Sequence, residues 1–378
     1  MKTLLPAALL TMVLFSGGPT LAQVPPTPST RVLSPVPPAK LPPELGLDEQ
    51  LASDRTALLQ AIDHSLQYLR APSSQVRYRD LAIPGITHER VVRSLVRFRQ
   101  LLLDSPSPHA LQTAVRREFE LYQSVGFDRQ GTVAFTGYFE PTYRASRQPT
   151  SEYRYPLYQL PQNFAQWSKP NPSRAELESG PLLRGLELVW LRDRLEAFLV
   201  HVQGSARLQM TDGTVMSIGY AGKTDQPYTG LGRELVRDGK IRQEDLNLPV
   251  LIRYFQQNPS QLDIYLPRNR SFVFFRETNG APATGSLGVP VTTWRSIATD
   301  RSLMPPGALA LIQSTLPIPN ASGQLEQVWV SRYLLDQDTG GAIRGAGRVD
   351  VFMGTGSQAE AQAGLTNAYG RLYYLLLR

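Results

Sequence analysis

The segment Asp338-Thr-Gly-Gly-Ala-Ile-Arg-Gly345, followed by Asp350-Val-Phe-Met-Gly-Thr-Gly356, decides the fold of this chain of 378 residues. Its two aspartates lie twelve residues apart and are joined by a glycine-rich stretch. Glycine adopts positive φ without steric cost and lets the backbone approach a ligand closely. The segment can therefore turn tightly and hold two carboxylates beside an open groove. Asp and Gly are also ordinary turn residues, so a plain loop is the alternative.

Further short motifs precede this segment, and their order along the chain is informative. They are Phe135-Thr-Gly-Tyr-Phe-Glu-Pro141, Tyr155-Pro-Leu-Tyr158, Val202-Gln-Gly-Ser205, Tyr220-Ala-Gly-Lys223, Asn258-Pro-Ser260 with Phe272-Val-Phe-Phe275, and Val289-Pro-Val-Thr-Thr-Trp-Arg-Ser-Ile-Ala-Thr-Asp300. Each is weak alone, but the series resembles the membrane-bound lytic murein transglycosylase A family over roughly residues 130–378. The resemblance makes Asp300, Asp338 and Asp350 the three aspartates of that family's C-terminal domain.

The resemblance implies a fold that is mainly β with N-terminal helices (α+β). Proteins of this family have a double-psi β-barrel formed from both ends of the chain, an inserted second β-rich domain, and a groove between the two. On this sequence the helices and the barrel would take residues 45–137 and 279–378, and the inserted substrate-binding domain would take residues 138–278. Local sequence patterns alone do not predict this discontinuity.

Local patterns predict helices before residue 126 and strands with shorter helices after it. One helix has Asp48 as its N-cap and an apolar face, a second starts near Thr87, and a third runs from Ser107 to near Gly126. Later, the runs 206–210 and 214–218 flank Asp212-Gly213 and predict a tight β-hairpin. Residues 187–198 are predicted to be helical.

The N-terminal residues carry the pattern of export. Residues 1–22 have a positive start at Lys2, an apolar run and a small-residue site before Gln23, which is typical of a secretory signal peptide. Residues 23–44 are rich in proline and predict a disordered spacer. We expect the mature chain in the periplasm, associated with the cell wall or the outer envelope, without a transmembrane segment.

The chain has no cysteine. This excludes disulfides, thiolate metal ligands and thiol catalysis. It also excludes the acylated N-terminal cysteine that many members of the family carry, so the protein is not expected to be a lipoprotein. The four histidines are scattered without metal-ligand spacing. Neither a metal nor an organic cofactor is therefore expected.

The formal net charge is +7, which falls to +6 without Lys2, the single charge in residues 1–22. A basic protein favours anionic partners. The export signal and the absence of basic blocks with interleaved aromatics argue against nucleic acid. The expected partner is the glycan strand of peptidoglycan, and wall-remodelling proteins are further candidate partners. The chain is expected to be a monomer.

Asp350 is the candidate catalytic acid because it matches the family's essential aspartate. It lies between Val349 and Val351 in an apolar β-type run, where partial burial raises a carboxyl pKa. A proton donor to a glycosidic oxygen must keep its proton near neutral pH. Asp338 is the predicted supporting carboxylate, with a purely structural role equally open. Asp300 is expected to form a salt bridge within the barrel.

Seven further residues are predicted to bind the glycan: Thr136, Gly137, Tyr138, Gln203, Gly204, Ser205 and Lys223. Their hydroxyls, amide and aromatic face suit sugars, and the lysine would meet a carboxylate of substrate or protein. The alternatives are ordinary ones: hairpin turns, a core aromatic and a surface lysine. Ala206 stands where the family usually has glycine after the serine.

The resemblance implies a peptidoglycan lytic transglycosylase of cell wall turnover. Such an enzyme cleaves the β-1,4 bond between MurNAc and GlcNAc and closes a 1,6-anhydro ring in MurNAc, using one aspartate. Two alternatives stay open. One is a non-catalytic peptidoglycan-binding or wall-loosening protein. The other is a hydrolase of another β-1,4-glycan such as chitin, which would require a water-activating base, and Asp338 is the nearby candidate.

Overall fold

The computed structural model describes residues 31–378. The predicted signal peptide and the first residues of the predicted spacer lie outside this range. Within it, the first strand, β1 (Leu33–Val36), pairs with a later strand of the barrel sheet. Leu33 and Leu45 are both buried in the main core. Residues 33–44 are therefore structured rather than disordered as predicted, because their apolar side chains pack on the barrel. No helix among the described residues is long and apolar enough to cross a membrane.

Four helices follow β1: α1 (Leu51–Leu69), α2 (Pro72–Leu81), α3 (His88–Asp104) and α4 (Pro108–Glu118). The side-chain oxygens of Thr87 and Ser107 cap α3 and α4 by accepting backbone N–H groups of their first turns. The predicted N-cap Asp48 is wrong, because α1 begins after Gln50 and Asp48 instead forms a fully buried ion pair with Arg295.

Strands β2 (Phe119–Ser124) and β3 (Val133–Glu140) come next, so the third predicted helix ends earlier than Gly126. The chain then enters a second sheet made of β4 (Thr142–Ser146), β5 (Tyr155–Tyr158), β6 (Glu187–Leu191), β7 (Ser205–Met210), β8 (Val215–Lys223) and β9 (Val273–Glu277). Helices among these strands are α5 (Arg174–Ser179), α6 (Arg194–Gln203), α7 (Leu231–Arg237), α8 (Leu248–Gln257) and α9 (Leu262–Tyr265).

Two local predictions for this second sheet have different outcomes. The hairpin is confirmed, since β7 and β8 pair antiparallel and Gly213 in their turn has φ 85°. The single helix over residues 187–198 is wrong, because β6 takes its first part. The carboxylate of Asp193 accepts the N–H groups of Leu195 and Glu196 and so starts α6 only after the strand.

The chain returns to the first sheet with β10 (Ser296–Ala298), β11 (Leu309–Pro319), β12 (Leu325–Asp338), β13 (Arg348–Thr355), α10 (Ser357–Leu365) and β14 (Asn367–Leu377). The order β14-β11-β12-β10-β13-β3 closes into a six-stranded barrel because β3 also pairs with β14. Two of its pairs, β10 with β12 and β13 with β3, are parallel. The predicted fold class is confirmed: a closed barrel, a second β-rich domain, and helices.

Candidate active site

Strand pairing brings the predicted catalytic residues into one row across the barrel. Asp350 on β13 lies opposite Thr136 of β3 on one side and Ala298 of β10 on the other. Ala298 in turn pairs with Asp338 at the end of β12. Neighbouring strands lie about 4.8 Å apart, so the two aspartates flank β10 with their Cα atoms about 10 Å apart. We call this row Thr136–Asp350–Ala298–Asp338 the catalytic row, after its predicted catalytic residue Asp350.

Asp350 is a half-buried carboxyl group whose Oδ1 has no hydrogen-bond partner among residues 31–378. Its chain neighbours Val349 and Val351 are fully buried in the barrel core, so strand alternation turns Asp350 to the other face. Burial raises the pKa of Asp350 to about 6; the Arg348 charge opposes this rise and the Asp338 charge adds to it. The residue is therefore an acid that holds its proton to a higher pH than an ordinary aspartate does.

Asp338 differs from Asp350 because both of its oxygens accept hydrogen bonds. The Tyr138 hydroxyl donates to Oδ2 at 3.0 Å, and the backbone N–H groups of Ser286 and Thr339 donate to Oδ1, each at 2.8 Å. Burial raises the pKa of Asp338, and these hydrogen bonds counteract part of that rise. A Cβ on Gly285 would lie 2.6 Å from a main-chain oxygen of β12, so glycine is needed for this close approach.

Asp300 secures the 338–350 loop rather than forming the salt bridge expected from sequence. Its Oδ1 accepts hydrogen bonds from the N–H and the hydroxyl of Ser302, and its Oδ2 accepts the N–H of Gly345 at 2.7 Å. Burial alone would raise the pKa of Asp300, but these bonds bring it below the ordinary value. The salt-bridge prediction is wrong because the carboxylate turns to main-chain donors of its own turn and of the loop.

The three residues predicted on β3 make different kinds of contact. The hydroxyl of Thr136 accepts a hydrogen bond from Arg348 at 2.9 Å, and Tyr138 holds Asp338, so both belong to the catalytic row and its support. Gly137 has a packing reason instead. A Cβ there would lie 2.7 Å from the Cα of Ala363, so glycine allows α10 to pack on β3.

The residues Gln203, Gly204 and Ser205 lie where α6 ends and β7 begins. The Gln203 Oε1 accepts the backbone N–H of Phe139 at 3.1 Å, which ties α6 to β3 and leaves only the NH₂ of this amide for a ligand. Gly204 ends α6 with φ 83°, a conformation that favours glycine. Ser205 is half-buried at the start of β7.

The second sheet reaches the 338–350 loop through Lys223 and Tyr228. A Cβ on Gly341 would lie 3.3 Å from the Cβ of Tyr228 and 3.6 Å from the Nζ of Lys223. Burial, and then the charge of Arg344, lower the pKa of Lys223. Burial raises the pKa of Tyr228 to about 12, with a contribution from the Asp350 charge. Lys223 and Tyr228 thus lie next to Gly341 of the 338–350 loop.

Comparison with known proteins gives the family. The family model described as "MltA specific insert domain" matches residues 134–276, and the "3D domain" model matches residues 295–376. The membrane-bound lytic murein transglycosylase A of Escherichia coli is 33% identical over 259 residues, which are 68% of this chain and 69% of that protein. The Vibrio cholerae protein of the same name is 35% identical over 253 residues, 66% of this chain and 67% of that one. The chain belongs to the membrane-bound lytic murein transglycosylase A (MltA) family.

Solved structures agree with this MltA assignment. A membrane-bound lytic murein transglycosylase from Agrobacterium tumefaciens has a TM-score of 0.73 at 27% identity and covers 92% of this chain and 98% of its own. E. coli MltA with bound chitohexaose has a TM-score of 0.70 at 27% identity and covers 92% and 95%. The fold described above is thus that of solved members of the MltA family.

Two residues of this MltA-family site were missed by sequence reasoning. Asp336 is 3% exposed, accepts the hydroxyl protons of Thr299 at 2.7 Å and Tyr374 at 2.5 Å, and burial raises its pKa to about 7. Its position directly after two leucines in a long strand could have indicated that this aspartate is buried. Tyr228 lies in an irregular turn between β8 and α7, where nothing in the local pattern predicts contact with a distant loop. Within residues 31–378 no cluster of three or more His, Cys, Asp or Glu suits a metal ion.

Proposed function

We propose that this MltA-family member is a peptidoglycan lytic transglycosylase in which Asp350 is the single catalytic acid and base. The observation that carries the proposal is the Asp350 carboxyl group, which combines partial burial, a pKa of about 6 and an oxygen without a partner. The glycan strand is the proposed substrate, and the solved complex of the E. coli relative with chitohexaose supports this choice.

The proposed reaction proceeds in two proton transfers at one carboxyl group. Neutral Asp350 donates its proton to the oxygen that links MurNAc C1 to the GlcNAc, and that C1–O bond breaks. The Asp350 carboxylate then accepts the proton of the MurNAc C6 hydroxyl, whose oxygen bonds to C1 and closes the 1,6-anhydro ring. The attacking hydroxyl belongs to the substrate, so its effective concentration is high and no water is activated. A pKa of about 6 makes both forms of Asp350 accessible near neutral pH.

The other predicted residues have supporting roles in this proposal. Asp338 positions Tyr138 and the loop, and its charge helps to keep Asp350 protonated. Thr136, the free NH₂ of Gln203, and the backbone and hydroxyl groups of Gly204 and Ser205 are proposed to contact sugar hydroxyls and acetamido groups. Lys223 is proposed to meet a carboxylate of the substrate.

The geometry of the site argues against each of the two alternative functions. A hydrolase requires a second carboxylate that activates water. Both oxygens of Asp338 already accept hydrogen bonds from the protein, which disfavours that role. A purely binding protein has no use for a half-buried, unpartnered acid, whose desolvation costs stability.

The proposed domain organisation follows the prediction from sequence. The helices and the barrel take residues 45–137 and 279–378, and the insertion takes residues 138–278; the matched ranges 134–276 and 295–376 support this division. We further propose that residues 1–22 are a signal peptide and that the mature chain, without an acylated cysteine, is a monomer held at the wall by the glycan and by its positive charge. Fractionation at low and high ionic strength tests this location, since surface electrostatics is screened by salt.

Digestion of purified sacculi tests the reaction itself. Mass spectrometry should find muropeptides that end in 1,6-anhydroMurNAc and are lighter than hydrolysis products by one water. Products with only reducing-end MurNAc would contradict the transglycosylase and favour the hydrolase. Wall binding without any product would favour the non-catalytic alternative.

A further inference from the structure

A second cavity lies between α1, α10 and the barrel, and it shares no residue with the catalytic row. Its volume is about 510 Å³, and its walls include Asp54, Trp294, Arg332, Gln358 and Gln362. Small-molecule sites typically have volumes of about 300–1,000 Å³ and combine apolar walls with a few polar groups. The size and the lining of the cavity therefore suit a small ligand.

Two buried polar groups in the wall of this cavity have hydrogen-bonding capacity left over. Gln362 is 4% exposed, and the hydrogen bond it makes uses its main-chain carbonyl, so its side-chain amide is free within the described residues. Arg332 is 3% exposed and donates from Nη2 to Asp54 at 2.6 Å, but its Nε has no partner in residues 31–378. Buried polar groups in proteins are nearly always paired. The Arg332 Nε atom is itself inaccessible, so the Gln362 amide is the group whose partner a ligand in the cavity would supply.

The aromatic wall of the cavity is held in an uncommon backbone conformation. Trp294 has φ 60°, which is rare for a bulky residue. Its N–H donates to the carbonyl of Phe352 at 2.8 Å, and the Arg332 guanidinium lies over its ring at 5.3 Å from the centroid. Such conformations persist where the surroundings enforce them, often at ligand sites. The ring is thereby fixed in the cavity wall that also holds the free amide of Gln362.

The charges around the cavity are balanced, and this identifies the ligand class. Arg295 pairs with Asp48 and Asp54, and Arg332 pairs with Asp54, so two cations face two carboxylates. An anionic ligand would add an uncompensated charge to this buried network, which is costly. An uncharged ligand with hydroxyl and amide groups on one side and an apolar face on the other fits the walls.

We infer that this cavity is a second saccharide site, which binds an uncharged N-acetylated sugar unit. The apolar face of the sugar ring packs on Trp294, and its hydroxyl and acetamido groups pair with the side-chain amides of Gln362 and Gln358. This inference rests on the proposed function only for the source of the sugar, a peptidoglycan strand. The site would hold a strand on the barrel while the catalytic row acts on another part of the wall.

Titration calorimetry of the full chain with chitotriose tests the inference, in the Asp350→Asn background so that no turnover occurs. Two molecules of chitotriose should bind per chain, one in the groove and one in the cavity. Gln362→Leu should weaken one of the two sites about tenfold, which is the usual scale for a lost hydrogen bond in a binding pocket. Trp294→Asn, whose new side chain tolerates positive φ, should abolish the same site.

A milder cavity variant and a control variant complete the experiment. Gln358→Ala changes an exposed residue that cannot disturb the core, and it should weaken the cavity site several-fold. Trp329→Asn removes an exposed tryptophan outside the cavity and should change neither site. One molecule per chain, or two sites that none of the cavity variants affects, would overturn the inference. Binding of a sugar-free stem peptide in place of chitotriose, lost in the same variants, would overturn the saccharide assignment. None of these measurements depends on catalysis, so they test the cavity site independently of the proposed enzymatic function.

Discussion

Carboxylates in two regions of the barrel have opposite surroundings. At the junction with α1, Asp48 and Asp54 are paired with Arg295 and Arg332, and Arg295 is completely buried. In the catalytic row, Asp350 has no ion pair and an unpartnered oxygen among the described residues. Pairing keeps a carboxylate charged and unreactive, whereas desolvation without a partner raises its pKa. The first region therefore fastens a helix to the barrel, and the second provides an acid.

The largest expected effect is on turnover. Asp350→Asn keeps the shape of the side chain but cannot exchange a proton, so kcat on sacculi should fall by about 10²–10⁴-fold. Release of anhydro-muropeptides measures this loss. Asp80→Asn, at an exposed position on α2, is the matched control and should retain full activity. Undiminished turnover in the Asp350 variant would mean that another carboxylate is the acid.

The next effect concerns the paired region. Arg295→Met leaves Asp48 buried without its partner, and the free energy of unfolding should fall by about 3–5 kcal/mol. Arg99→Met removes an exposed pair with Asp63 and should cost less than about 1 kcal/mol. Urea denaturation of both variants measures the difference. Equal losses would show that the Arg295 network stabilises the protein no more than a surface ion pair does.

Substitution of Asp350 should raise the free energy of unfolding, whereas substitution of Arg295 should lower it. Its folded pKa of about 6 lies above the ordinary value of 3.8, so the native state binds the proton more tightly than the unfolded state does. The resulting cost is absent below about pH 4 and complete above about pH 6. At pH 7, Asp350→Asn should therefore raise the free energy of unfolding by about 1–2 kcal/mol, after allowance for partial solvation. A gain that is unchanged at pH 4 would contradict this pKa as its origin.

The smallest effect tests the support of the catalytic row. Tyr138→Phe removes the hydroxyl that donates to Asp338, and about 1 kcal/mol of stability should be lost. Turnover should also fall several-fold, because the Asp338 carboxylate loses one of the three hydrogen bonds that it accepts. Tyr369→Phe, at a tyrosine that is 65% exposed, is the control for hydroxyl removal. If Tyr138→Phe and Tyr369→Phe had the same stability and the same turnover, the hydrogen bond from Tyr138 to Asp338 would not support the site.

Some features of the fold and of the candidate site could be predicted from the sequence, and others could not. The valines around Asp350 indicated burial on one face, and the structure gives its pKa the predicted direction. The function of Asp48 was missed because its partner, Arg295, is distant in sequence and an aspartate before a helix is ordinarily a cap. The strand at residues 187–191 was missed because local propensity is a weak guide where a sheet partner decides. Likewise, the pairing of β3 with β14 closes the barrel through contacts that no local pattern encodes.

The most direct test of the central claim is the pH dependence of kcat/KM for release of anhydro-muropeptides. In the proposed mechanism the free enzyme must carry the Asp350 proton, so kcat/KM should fall about tenfold per pH unit above an apparent pKa near 6. Asp338→Asn removes a negative charge that raises this pKa, and the limb should move to lower pH. A profile that is flat from pH 5 to pH 8, or a limb that Asp338→Asn leaves in place, would contradict the account of Asp350 as an unpaired acid.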